Sequence, residues 1–422
     1  MSAKKQDIDF VQATLTAATI VRKVLAPTPL QLNEYLSARY DAKIYLKRED
    51  LTPVRSYKIR GAFNFFQKSL AHLGKDARYV CASAGNHAQG FAFACKYFGV
   101  AGTVYMPITT PKQKIQKTRA FGGENIDIRL IGDSFDQTNV AARAFSEDTN
   151  AFFVPPFDNF DIIEGQATVG LEILQQSSNP IDILIIPVGG GGLAAGVIQI
   201  MAALSPRTQV VLVEPAGAAS LKQSLEKKRR IKLEQIDTFV DGAAVAQIGE
   251  INFDILKTYK SEDIILIKED GLCETIIDML NVEGIVLEPA GALEIDALRY
   301  ISLDTLKNKT IVCLTSGGNF DFERLPEVKE RALKASGRKK YYILRLPQRP
   351  GALREFLQFL GPNDDVSRFE YFKKSTRNFG SILLGIETTE PENFKLLNNK
   401  MNKANIQYQD ITDDEVVSNF IV

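Results

Sequence analysis

Short apolar runs at 79–82, 102–106, 126–131, 183–188, 209–214, 264–267 and 310–314 punctuate the chain. They lack the polar alternation of a half-exposed strand, so each predicts a strand buried on both faces. The stretches between them, at 87–98, 111–121, 134–148, 162–176 and 271–280, carry apolar residues at helical spacing. A further helix is expected after Glu288-Pro289. Pro111 suits a first helical turn and Ser134 a helix cap. Strands alternating with helices predict a parallel sheet covered on both faces. Ahead of this region, residues 10–24 have helical spacing, broken by Ala26-Pro27-Thr28-Pro29, and 44–50 reads as a strand entering a loop.

The pattern changes beyond about residue 325. A charged helical stretch, 326–336, ends at Gly337 and leads through Arg338-Lys339-Lys340. Then come a strand at 341–346, a helix at 351–360, strands at 365–373 and 381–386, a helix at 391–404 and a last strand around 406–408. That order predicts a small ferredoxin-like α+β domain. The expected organisation is therefore an α/β region at 1–325, with a smaller subdomain at about 55–150. A connector at 326–338 and a second domain at 339–422 follow.

Composition removes several function classes. Lys+Arg and Asp+Glu both number 51, so neither nucleic acid nor an anionic membrane is favoured as a partner. No apolar run reaches the roughly 20 residues that span a bilayer. The start, Met1-Ser2-Ala3-Lys4-Lys5-Gln6-Asp7-Ile8, lacks a signal-peptide core, so a cytoplasmic protein is expected. Cys81, Cys95, Cys273 and Cys313 form no Cys-x-x-Cys pair and sit in apolar contexts, as reduced core thiols do. The histidines are His72 and His87 alone. A Ser-His-Asp triad or a histidine metal cluster is hard to build, which leaves acid–base work to another group or to a cofactor.

The candidate chemistry lies at strand ends. Gly189, Gly190, Gly191 and Gly192, followed by Leu193, separate an apolar strand from a helix. Such a loop lets backbone approach a ligand, and the helix start offers free N–H groups for a phosphate. The same unit fits a dinucleotide fingerprint, Gly189-x-Gly191-x-x-Ala194, with Glu214 at the end of the next strand as the ribose acid. That alternative, a nicotinamide-dependent oxidoreductase, places the unit unusually late in the chain and leaves the other motifs unexplained. Ser83-Ala84-Gly85-Asn86-His87, also between strand and helix, suits a carboxylate, or is an ordinary cap. Thr315-Ser316-Gly317-Gly318-Asn319 ends a third strand. Lys58, in Arg55-Ser56-Tyr57-Lys58-Ile59-Arg60-Gly61-Ala62, precedes a helix expected to begin near Gly61. It is either an exposed lysine or the Schiff-base lysine of a pyridoxal phosphate enzyme.

Together with Lys47-Arg48-Glu49-Asp50-Leu51, these motifs in this order resemble the threonine dehydratases, within the tryptophan synthase β-like (fold type II) pyridoxal phosphate enzymes. The likeness covers about 20–325. The tail, with Leu346-Pro347-Gln348-Arg349-Pro350-Gly351-Ala352, resembles the ACT-like regulatory domain of the short biosynthetic forms. The resemblance implies an α/β fold type II enzyme that converts L-threonine to 2-oxobutanoate and ammonia, with pyridoxal 5'-phosphate as cofactor. It implies that Lys58 anchors the cofactor and moves the Cα proton. Asn86 would bond the cofactor's 3'-oxygen, Gly189 to Gly192 with Leu193 the phosphate, and Ser316 the pyridine nitrogen. Ser83, Ala84, Gly85, Asn86 and His87 would hold the substrate carboxylate. A neutral serine at the ring nitrogen makes a weaker electron sink and favours elimination over transamination. With so few histidines, the cofactor's phosphate is the candidate acid for the leaving hydroxyl.

The resemblance further implies isoleucine as an allosteric inhibitor, with Arg349, Pro350 and Gly351 as its candidate site, and a homodimer or homotetramer. Serine/threonine dehydratases and serine racemases share the fold and are the nearest alternatives; an inactive amino-acid-binding regulator is another. The chain departs from related enzymes at two points. Glu214-Pro215 is followed by Ala216-Gly217-Ala218-Ala219, without the acidic partner of a cation site, so no metal is expected. Glu164 stands where a small residue is expected.

Overall fold

The computed structural model describes residues 3–372 and 378–414. They form two compact units, Met1–Glu269 with Met279–Asp321, and Asp270–Asp278 with Phe322–Val422.

The strands of the first unit are β1 (Leu30–Leu32), β2 (Lys43–Arg48), β3 (Tyr79–Ala82), β4 (Gly102–Met106) and β5 (Ile126–Leu130), then β6 (Phe152–Phe153), β7 (Ile183–Pro187), β8 (Gln209–Pro215), β9 (Ile265–Ile267) and β10 (Thr310–Thr315). Among the described residues they make a six-stranded sheet, ordered β1-β2-β10-β7-β8-β9, and a four-stranded one, β5-β4-β3-β6. All pairs are parallel except β1 with β2. The expected buried parallel strands are therefore present. The core of the larger sheet joins Leu184, Ile186, Leu212, Val312 and Leu314 to Val197 and Met201 of the helix Gly192–Leu204. Helices Lys58–Leu73, Asn86–Phe98 and Phe160–Gln176 pack together beside it. A Cβ at Gly61 would lie 2.4 Å from Gln166 Nε2, and one at Gly165 2.6 Å from Arg60 O. Both glycines are what lets the Lys58 helix meet Phe160–Gln176 so closely. Glu164 forms an ion pair with Lys68 across the same contact, which gives this residue a structural role.

The second unit holds β11 (Lys339–Pro347), β12 (Asp364–Phe372), β13 (Phe379–Thr388) and β14 (Gln407–Asp410). They form an antiparallel sheet ordered β12-β13-β11-β14, with helices Ala352–Leu357 and Asn393–Lys403 in the expected places. Tyr342, Leu344 and Leu346 alternate inward from β11 onto Phe356, Phe394, Leu397 and Met401. The last residue of the strand expected at 365–373 lies outside the described residues. The stretch expected as a connector is the helix Leu325–Ala335, which groups with this unit. No helix among the described residues is long and apolar enough to cross a membrane.

A buried ion network ties the first unit together. Arg60 grips Glu49 through Nε and Nη2, at 2.7 and 2.8 Å, and Glu172 through Nη1 and Nη2, at 2.7 and 2.9 Å. Lys47 Nζ donates to Glu172 at 2.7 Å, to Thr28 O at 2.7 Å and to Gln176 at 3.0 Å. Arg22 adds a third cation to Glu172 at 2.7 Å. Side chains of Lys47, Glu49, Arg60 and Glu172 are at most 1% exposed, so removing one partner strands its neighbours' charge away from water. Burial alone would raise the Glu172 carboxyl, but Arg60 and Lys47 outweigh it and hold it down to about 2.

Glu172→Ala is expected to lower the stability of the full chain by about 3–5 kcal/mol, read from urea unfolding. A loss below about 1 kcal/mol contradicts the role given to this network. Because the folded pKa lies below the unfolded one, the Glu172 contribution is complete above the ordinary carboxylate range. It is lost as pH falls toward 2.

Candidate active site

Lys58 is the first residue of its helix; the expected start near Gly61 is three residues late. The chain before it is stitched to the loop after β10. Ser56 pairs with Gly317 in an isolated bridge. The Tyr57 N–H donates to Ser316 O at 3.1 Å, and the Gly318 N–H to Arg55 O at 2.9 Å. Lys58 Nζ donates to Pro156 O at 2.9 Å. It also lies 5.2 Å from the Tyr57 ring centroid and 5.9 Å from that of Phe157. Burial in this aromatic slot pushes the ammonium down to about 8, against the pull of the Glu288 carboxyl.

Phe157 joins the lysine to the glycine loop. A Cβ at Gly190 would sit 2.1 Å from the Phe157 ring, one at Gly192 2.8 Å from Phe157 O, and one at Gly189 2.9 Å from Ala243 Cα. Gly191, at φ 90°, caps the helix Gly192–Leu204. The Gly190 carbonyl is held by Asn252 Nδ2 at 2.7 Å and the Gly249 N–H at 3.1 Å. The loop is thus a cradle that side chains would fill, at the start of a buried helix, with Leu193 in its first turn. Such a place suits an anion that arrives without a protein side chain.

The loop after β3 reaches the same place. Asn86 opens the helix Asn86–Phe98; its Nδ2 donates to Glu288 Oε1 at 2.6 Å, and its Oδ1 accepts from Asn319 Nδ2 at 2.7 Å. Ser83, Ala84 and Gly85 are half-buried beside it. Ser316 Oγ is buried and donates to Ala290 O at 3.1 Å. Lys58, Asn86, the glycine loop and Ser316 are therefore brought together. The His87 ring is buried and bonded to Val154 O at 3.0 Å. Burial, reinforced by Lys58, pushes it down to about 3, so the ring is neutral.

Three residues of the site went unread in the sequence: Phe157, Glu288 and Asn319. Only Asn319 carried a signal, as the last member of Ser316-Gly317-Gly318-Asn319. Glu288 is buried, and burial with Asp241 pushes its carboxyl up to about 7. Glu214, the acid required by the dinucleotide reading, is fully buried and accepts the N–H groups of Leu221 and Lys222 at 2.7 and 2.8 Å. It caps a helix and is not presented to a ribose. In the second unit, Arg349, Pro350 and Gly351 lie exposed on the turn after β11, where Arg349 pairs with Glu355 at 2.6 Å.

An amine in an apolar slot, a side-chain-free anion cradle and two neutral polar groups between them fit a phosphorylated aldehyde cofactor. Residues 21–317 match the family described as pyridoxal-phosphate dependent enzyme, and 330–421 match the C-terminal regulatory domain of threonine dehydratase. The biosynthetic L-threonine dehydratase of Halalkalibacterium halodurans is 44% identical over 98% of this chain and 99% of its own length. That of Bacillus subtilis (strain 168) is 44% identical over 99% of each. The processed threonine deaminase isoform 2 of Solanum lycopersicum superposes with a TM-score of 0.73 at 38% identity, covering 79% of this chain and 94% of that one. The chain belongs to the biosynthetic threonine dehydratases of the pyridoxal-phosphate-dependent enzyme family.

Because the His87 ring stays neutral well below pH 6, His87→Gln is expected to keep the shape of the pH–rate profile between about pH 6 and 9. Loss of a limb of that profile contradicts the structural role given to the ring.

Proposed function

We propose that this chain dehydrates and deaminates L-threonine to give 2-oxobutanoate and ammonia, with no net loss of water, and with Lys58 as both cofactor anchor and base. The observation that carries the reading is the position of the Lys58 amine, on the same Phe157 that packs against the glycine cradle. Bound pyridoxal phosphate supplies the electron sink that makes the substrate Cα–H acidic. The protein does the rest. Backbone N–H groups of Gly189 to Gly192 and Leu193 would hold the phosphate at a helix start. Asn86 would donate to the ring oxygen, and Ser316, whose hydroxyl donates to Ala290 O here, would turn that neutral hydroxyl to the ring nitrogen. The Ser83–Asn86 loop and the first N–H groups of the helix behind it, including that of His87, receive the substrate carboxylate.

Lys58 then takes the Cα proton. Its lowered pKa leaves a useful neutral fraction near pH 8. Tyr57 and Phe157 flank the amine and shield it from water. Departure of the β-hydroxyl and later uptake of water leave the overall balance as threonine to 2-oxobutanoate plus ammonia. The match of 330–421 to a threonine dehydratase regulatory domain supports this reading over a serine racemase or serine dehydratase. Isoleucine, the end product such an enzyme would feed, is the effector we assign to the second unit. Arg349, Pro350 and Gly351 are its candidate contacts, and the active form is a homodimer or homotetramer. Cys81, Cys95, Cys273 and Cys313 are free and buried, which suits the cytoplasm.

Purified protein should show the visible absorbance of bound cofactor and release 2-oxobutanoate from threonine faster than pyruvate from serine. Lys58→Ala is expected to abolish the absorbance and to cut the rate by at least about 100-fold. An unchanged spectrum in that variant sinks the assignment of Lys58. Isoleucine should inhibit the full chain and not a form ending near residue 338; full inhibition of the short form refutes the regulatory reading.

A further inference from the structure

Glu288 has no part in the roles assigned above, yet its carboxyl is buried among them. It precedes the helix Pro289–Asp296, and its own N–H donates to Gly317 O at 3.3 Å. A Cβ at Gly317 would lie 2.3 Å from Glu288 Oε1, and one at Gly242 3.3 Å from it. Glycine at 317 is therefore what leaves room for the carboxyl.

The hydrogen bonds around it form a directed chain. Asn319 Nδ2 donates to Val54 O at 2.8 Å and to Asn86 Oδ1 at 2.7 Å. A backbone carbonyl only accepts, so Val54 fixes which end of the Asn319 amide is nitrogen. That nitrogen requires an oxygen on Asn86, which turns Asn86 Nδ2 toward Glu288 Oε1 at 2.6 Å. The Asn86 amide is thus oriented by its partners and not by a free choice between two flips. One N–H of Nδ2 goes to Glu288. The second is held in a defined direction as long as both clamps are in place.

We propose that Glu288 is a positioning residue: with Asn319 it clamps the Asn86 amide so that its second Nδ2 N–H is presented to the ring oxygen of the cofactor that Lys58 anchors. This rests on the reading of Asn86 as a cofactor ligand given under Proposed function. The clamp needs an acceptor at 288 and not a charge. Glutamine, which keeps a side-chain carbonyl at the same reach, is therefore able to replace it, and alanine is not. The effect must also pass through Asn86 and vanish when that amide is removed.

The test is a double-mutant cycle on cofactor affinity. Full-length chains are stripped of cofactor and titrated with pyridoxal phosphate, followed by visible absorbance. Glu288→Gln should bind within about 3-fold of the parent, while Glu288→Ala and Asn86→Ala each weaken binding about tenfold. The double variant should bind no more weakly than Asn86→Ala alone, because two residues acting in series share one loss. The proposal is overturned if Glu288→Ala binds like the parent. It is also overturned if Glu288→Gln loses as much as alanine, or if the two single losses multiply. A parent chain that binds no pyridoxal phosphate overturns the proposed function along with it. Multiplying losses in a chain that does bind overturn the positioning role alone.

Discussion

The first unit depends on one buried arrangement, the Arg60 guanidinium held between the carboxylates of Glu49 and Glu172. A guanidinium presents its donors in a fixed planar fork, so two carboxylates can meet it only in one geometry. Glu49 follows β2, Glu172 lies on the helix Phe160–Gln176 and Arg60 on the helix that begins at Lys58. The network therefore sets the position of one helix against a strand end and another helix. An apolar contact would hold these elements together without fixing their angle, because hydrophobic attraction has no direction. Buried ion pairs add little net stability over a good apolar core. Here the useful property is geometric, since Arg60 stands two residues from Lys58 on the same helix.

The consequence at the site is a backbone tied to its neighbours on more than one side. Backbone bonds from Ser56 and Tyr57 to Gly317 and Ser316 lock the segment before Lys58 to β10. Gly90 completes the fit, since a Cβ there would lie 3.2 Å from the Lys58 carbonyl carbon. From this frame the Lys58 side chain reaches the Pro156 carbonyl.

Much of this was legible in the sequence, for reasons that differ by element. The parallel strands were visible because burial on both faces removes polar alternation. β1 and β6 were missed: β6 has two residues, and β1 is a three-residue edge strand left partly exposed. The start of the Lys58 helix was misplaced because Tyr57 makes no side-chain cap bond that a sequence could announce. The glycine loop and Ser316 were readable, as strand-end residues of unusual composition. His87 reads as a ligand because it is polar and follows Asn86; the Nε2 of its ring meets the Val154 carbonyl, a bond the sequence does not announce. Glu288 was unreadable as a partner of Asn86, since 202 residues separate the two and nothing local marks the bond. Residue type is written in the sequence; the partner that decides its role is not.

Lys47 and Lys58 show this most directly. Lys47 is buried and Lys58 half-buried, both in motifs that the sequence brings out, and desolvation lowers the pKa of each. Lys47 is surrounded by acceptors: Glu172, the Thr28 carbonyl and Gln176 take its protons. Glu49 and Glu172 favour its charged form, and it acts as a fixed cation inside the network. Lys58 has a single carbonyl, two aromatic faces and one more distant carboxyl, Glu288. Its ammonium is the less well compensated of the two, so it gives up a proton more readily. The same carboxyl that steadies Asn86 also limits how far the Lys58 pKa falls. Glu288 therefore couples the orientation of the Asn86 amide to the protonation of the Lys58 amine.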